Sequence, residues 1–170
     1  LDLASVLEAA GGRPRGGGTR IRFFIAGSGK RMPQFRQRAS SLDNVELTGW
    51  LETDAYRRRL GEADVGLLPY SAPKFAAFPN KAFEYFSAGL PTVSSCDGEL
   101  KDVLEQADAG AFYLHDDVNR LAGLLTRYAD DPDWTNLQGA NARRLFEDRY
   151  DARLCYPLYA DFVDNATSAS

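Results

Sequence analysis

Hydrophobic positions along the chain recur in two alternating rhythms. Leu1, Leu3, Val6, Leu7 and Ala10 stand at helical spacing with Asp2 in the first turn, so the sequence opens inside a helix. Residues 11–20 form a Gly/Arg/Pro stretch too poor in apolar side chains to pack, and are expected as a flexible loop. Ile21, Phe23, Phe24 and Ile25 then make a short β-rich run closed by Gly27. Helical spacing over 33–42 is followed by a strand over 45–47. Helical spacing over 53–63, with Asp54 near its start, leads to a strand at Val65, Leu67 and Leu68 that Pro69 stops. After a loop over 71–79 rich in Pro, Ala and Phe, a helix over 80–88 ends at Gly89 and a fourth strand occupies 92–95. A helix over 99–106, a strand over 111–114 and helices over 118–129, 134–148 and 152–163 complete the pattern, with a frayed tail over 165–170.

Short strands alternating with longer helices are the signature of right-handed βαβ units, which place helices on both faces of a parallel sheet. The expected fold class is therefore α/β: a Rossmann-like three-layer α/β/α domain over residues 1–170, with a parallel sheet of about five strands. In such open sheets ligands lie beyond the carboxyl ends of the strands. That rule selects the loops after Ala26, Thr48, Leu68 and Ser95.

Composition narrows the class. With 170 residues, 44% hydrophobic and 26% charged, the chain has room for one ordinary domain and no compositional bias toward disorder. Every apolar run is broken well before membrane-spanning length. Cys96 and Cys155 are far apart and outside any C-x-x-C, which indicates neither a disulfide framework nor a cysteine zinc site and suits a reducing cytosol. The net charge of −4 argues against duplex nucleic acid as a partner. It conceals a gradient, from +6 over residues 1–40 to −4 over 41–100 and −6 over 101–170. The basic end either faces phosphate or is a solvated arginine-rich loop around Arg13, Arg15, Arg20 and Arg22. The opening at Leu1, without Met or a signal peptide, reads as an excised domain whose preceding segment holds part of the site.

Three loops carry candidate chemistry. Gly27-Ser28-Gly29-Lys30 lets the backbone approach a ligand closely and feeds a helix N-terminus that favours anions. It fails the P-loop pattern at Phe24 and Arg31 and the dinucleotide fingerprint at Met32, so a plain strand-to-helix turn stands beside the ligand reading. Trp50 and Leu51 follow Gly49 at a strand end and could wall a flat base, or Trp50 could simply be core. Asn80, Lys81 and Glu84 stand together at the amino end of one helix. There Glu84 can accept hydrogen bonds from paired ribose hydroxyls while Lys81 and the helix dipole balance a pyrophosphate; the plainer reading is an Asn cap with surface charges. His115 lies beside Asp116 and Asp117 and reads as a loop residue rather than a general base. Ser28, Ser94 and Ser95 lack a histidine in any nucleophile arrangement, and no Asp-x-Asp, His pair or carboxylate cluster at ligand spacing predicts a metal.

The runs Ala63-Asp64-Val65-Gly66-Leu67-Leu68-Pro69 and Pro79-Asn80-Lys81-Ala82-Phe83-Glu84-Tyr85-Phe86-Ser87-Ala88-Gly89-Leu90-Pro91-Thr92-Val93 resemble the carboxy-terminal domain of GT-B glycosyltransferases of family 4, the group 1 glycosyltransferases. Asn44-Val45-Glu46-Leu47-Thr48-Gly49 and Asp97-Gly98-Glu99 resemble that family's flanking motifs, in the same order. The resemblance implies the donor half of a two-domain, retaining hexosyltransferase-type enzyme that moves a sugar from a UDP- or GDP-linked donor to a glycan or lipid-linked acceptor, without a metal cofactor. By analogy Glu84 is the second glutamate of E-x7-E and binds ribose, while Trp50 and Leu51 pack on the base. Asn80, Lys81, Gly27, Gly29 and Lys30 would line the diphosphate or sugar. Lys81, with the helix dipole, would take the catalytic part by stabilising the departing diphosphate. The position of the first glutamate holds Ala76, leaving the donor sugar open. The resemblance also implies a missing amino-terminal acceptor domain, an inactive isolated fragment, and a parent enzyme in the cytoplasm with peripheral association at the inner membrane face. A competing reading keeps the doubly wound fold as a non-catalytic signalling or protein-interaction module. The absence of a carboxylate cluster after Ala26 and Leu68 speaks against a receiver-like version of it.

Overall fold

Side-chain patterning translates directly into elements. In the computed structural model, which describes residues 6, 9, 21–70 and 78–168, the strands are β1 (Phe23–Ala26), β2 (Val45–Gly49), β3 (Gly66–Leu68), β4 (Thr92–Ser94) and β5 (Gly110–Phe112). The helices between and after them are α1 (Met32–Ala39), α2 (Thr53–Gly61), α3 (Asn80–Ser87), α4 (Glu99–Ala107), α5 (Val118–Asp130), α6 (Pro132–Arg149) and α7 (Ala152–Ser168). The helix expected over the first ten residues, the loop over 11–20 and the Ala76 position lie outside the described residues, apart from Val6 and Ala9, which are helical and buried.

All strand pairs are parallel, as the βαβ pattern requires. The hydrogen-bonded ladders among the described residues are two rather than one: β1 with β2, and β3–β4–β5 with β4 in the middle. Side-chain packing joins them. Phe23 of β1 and Val93 of β4 share one core with Tyr113 and with Leu121, Leu124, Leu125 and Tyr128, most of them from α5. On the opposite face Leu68, Ala82, Phe86, Leu100, Leu104 and Leu145 bind α3, α4 and α6 to the three-stranded sheet. Phe35 and Ala39 of α1 cover β1 and β2. The result is the expected three-layer α/β/α arrangement. Thr92, Val93 and Ser94 are all buried, as a central parallel strand covered on both faces must be.

Local chemistry sets the helix ends. Asp117 accepts from the Arg120 amide at 2.8 Å and Asp131 from the Trp134 amide at 3.0 Å, which caps α5 and α6. Gly89, at φ 69°, terminates α3 in the left-handed conformation, and the Leu90 amide donates back to the Tyr85 carbonyl at 2.9 Å. Helix α7 runs on past the expected boundary at Val163, and Tyr156, Leu158, Tyr159 and Phe162 on it are exposed.

Candidate functional site

The amino end of α3 is built by aromatic packing. Pro79 occupies the N-cap position in extended conformation, and the Ala82 amide donates to its carbonyl at 2.9 Å, starting the helix. Phe78, before the cap, stacks on Phe83 with centroids 4.8 Å apart and planes 8° apart, a hydrophobic staple that fixes the angle at which the chain enters the helix. Tyr150 closes over both rings. Ala82 and Phe86 face the core, which leaves the opposite face to Asn80, Lys81 and Glu84. Asn80 is the first helical residue rather than the cap, so the plainer reading of it as an Asn cap does not hold.

Lys81 Nζ lies 2.8 Å from Glu84 Oε2, with side chains 50% and 39% exposed. Tyr56, from α2, completes the group. Lys81 donates to its hydroxyl at 3.3 Å and its ammonium sits 4.3 Å from the ring centroid. Burial first, and then the nearby Glu84 carboxylate, push the Tyr56 phenol well above its ordinary range. The half-buried Tyr85 donates its hydroxyl to the Leu67 carbonyl at 3.2 Å, and desolvation likewise raises its phenol. Nothing in the sequence marked Tyr56. It stands 25 residues from Lys81, and its only local signal is an amphipathic position on a short helix.

The other predicted residues lie in the segments that follow β1 and β2. Gly27, at φ 143°, donates its amide to the Gly49 carbonyl at 2.7 Å, which ties the loop after β1 to the loop after β2. Gly29 and Lys30 are exposed in the first of these, where the Met32 amide closes a turn on Gly29. Trp50 is 72% exposed, so the core reading of it is excluded: a large aromatic stands in solvent at a strand end. Leu51, half-buried, walls a hollow of about 320 Å³ with Ala55, Arg58, Arg59 and Glu62. After β4, the Ser95 hydroxyl accepts from the Tyr70 amide at 2.7 Å and donates to its carbonyl at 2.9 Å, pinning the chain that leaves β3. Burial, and then the Asp97 charge, raise the Cys96 thiol above its ordinary value. The structure thus gathers Lys81 and Glu84 with Tyr56, and Gly27 with Gly49; no ladder links the Gly29–Lys30 side to α3 among the described residues. A cavity of about 200 Å³ lies elsewhere, near Asp64, Gly89, Pro91 and Gly139, and holds none of the candidate residues. Among the described residues no group of three or more His, Cys, Asp or Glu could hold a metal ion, and no helix is long and apolar enough to cross a membrane.

The fold is thus a parallel, doubly wound α/β domain with a cation and a carboxylate at one helix amino end. The chain belongs to the glycosyl transferases group 1 family, whose sequence profile matches residues 5–131. It is 32% identical over 88 residues to the chitobiosyldiphosphodolichol beta-mannosyltransferase of Yarrowia lipolytica, a match that covers 50% of this chain and 19% of that protein. Among solved structures it is similar to HepE of Anabaena in complex with UDP-glucose, with a TM-score of 0.80 and 17% identity over 96% of this chain and 45% of that one. It is also similar to sucrose-phosphate synthase of Thermosynechococcus elongatus, with a TM-score of 0.80 and 21% identity over 98% of this chain and 42% of that one. The chain therefore spans less than half the length of these solved relatives.

Proposed function

We propose that this domain is the carboxy-terminal, donor-binding half of a retaining glycosyltransferase that transfers a sugar from a nucleotide diphosphate sugar to a glycan or lipid-linked acceptor. The observation that carries the reading is the Lys81–Glu84 pair at the exposed amino end of α3, beyond the carboxyl ends of the parallel strands. A cation at the positive end of a helix dipole is an anion site by construction. Glu84 supplies its present counter-ion, and a diphosphate can take its place.

In this reading the ribose hydroxyls donate to Glu84, and Lys81 with the first amides of α3 meets the diphosphate. As the bond to the sugar breaks, negative charge grows on the departing diphosphate, and Lys81 is the group positioned to stabilise it. Trp50 and Leu51 face the base, with Asn80 beside the sugar or diphosphate. Gly27, Gly29 and Lys30 form the opposite rim. The acceptor domain belongs to a part of the parent protein outside these residues, so the isolated domain binds donor without turning it over. The parent enzyme works in the cytoplasm, with peripheral association at the inner membrane face.

Calorimetric titration of the full-length protein with UDP, UDP-glucose, GDP and GDP-mannose tests this. Saturable binding of at least one is expected, and Glu84→Ala weakens it by about tenfold or more, the scale of losing hydrogen bonds to a charged group. Failure of all four ligands to bind rejects the reading and leaves the interaction module in its place.

A further inference from the structure

Tyr56 touches the lysine of the ion pair and comes from a different helix. Its hydroxyl accepts from Lys81 Nζ at 3.3 Å and its ring centroid lies 4.3 Å from that nitrogen, while the same ammonium donates to Glu84 Oε2 at 2.8 Å. A lysine near a helix amino end is disfavoured by the dipole, and a solvent-exposed pair three residues apart is weak. Left to themselves, Lys81 and Glu84 would sample many rotamers. The ring removes that freedom without using a lone pair, so it can keep the ammonium in place while the counter-ion changes.

We infer that Tyr56 is a positioning residue of the donor site, holding Lys81 over the amino end of α3, so that an incoming diphosphate displaces the Glu84 carboxylate without the lysine swinging away. The inference rests on the donor-binding reading above. It also couples the two ends of the ligand, because α2 follows directly on Trp50 and Leu51, the residues assigned to the base.

The test is a double-mutant cycle in the full-length protein, with UDP, GDP and the corresponding monophosphates as probes. Tyr56→Leu weakens nucleotide diphosphate binding by about tenfold, the combined scale of a cation–ring contact and a charge-assisted hydrogen bond. Monophosphate binding falls less. Tyr56→Phe, which keeps the ring, recovers most of the loss. In a Lys81→Met background the same Tyr56→Leu change costs less than about twofold, because the residue through which it acts has gone. A general structural role would instead weaken both ligand classes equally and add to Lys81→Met, and either result overturns the inference while leaving the donor reading intact. A wild-type protein that binds none of the probes overturns the donor reading, and this inference with it.

Discussion

Gly139 of α6 meets Gly89 at the end of α3 so closely that a Cβ on Gly139 would stand 2.5 Å from the Gly89 carbonyl oxygen. Arg143, one turn further along α6, donates its guanidinium to the Ser87 carbonyl. Helix α6 therefore grips the carboxyl end of the helix whose amino end carries the candidate site. Alanine is a better helix former than glycine by about 1 kcal/mol. Here the clash with backbone outweighs that gain. Gly139→Ala is expected to destabilise by about 1–3 kcal/mol, measured by urea denaturation. Gly123, in α5, has nothing within 4 Å of its would-be Cβ. Gly123→Ala should therefore stabilise by about 0.5–1 kcal/mol, and equal effects at the two positions would refute the packing argument.

The Lys81–Glu84 pair is half-exposed, and such pairs contribute little to folding. Glu84→Gln should shift unfolding free energy by no more than about 0.5 kcal/mol while weakening nucleotide binding. Thermal unfolding alongside calorimetry separates the two effects. A large stability loss with unchanged binding would make the pair a structural device.

Ser95 is buried and holds both the amide and the carbonyl of Tyr70. Ser95→Ala removes both bonds at a place water reaches poorly. A loss of about 1–3 kcal/mol is expected, with faster hydrogen exchange at the Tyr70 amide as the local readout. Unchanged exchange would show that the tether is not what pins this segment.

Asp151 begins α7 by accepting from the Arg153 amide at 2.8 Å, and the Arg153 guanidinium lies 2.6 Å from its other oxygen. These bonds hold its carboxyl at about 2, below the ordinary 3.8. A carboxyl depressed in the folded state contributes stability above its ordinary range and loses it as pH falls through the lowered value. The amino end of α7 should thus fray as pH drops from 3.8 toward about 2, seen as faster exchange at the Arg153 and Leu154 amides. Asp151→Asn, which still caps but does not titrate, should abolish that pH dependence.

Much of the architecture was legible along the chain. Strands and helices fall within a few residues of where the changes of hydrophobic period place them, because β4 is buried on both faces and α5 on one, and each writes its burial into local sequence. The α3 end of the candidate site was legible for a similar reason: Asn80, Lys81 and Glu84 are close in sequence and share a helix. Trp50 was ambiguous, since an aromatic after a strand can turn either way, and its exposure depends on what packs over the loop. The split of the sheet into two ladders was not legible either, because hydrophobic strands state that they are covered but not which neighbour they hydrogen-bond.

The sequence by itself determined the order of elements, the parallel α/β class and the charged amino end of α3, all of which follow from spacings within a turn or two of chain. Only the tertiary structure decided that Tyr56 of α2 would meet Lys81, and that Gly139 would press on Gly89. Those contacts join residues far apart in sequence, and their distances are set by how whole helices settle on the sheet, a sum over the entire core that no local pattern records.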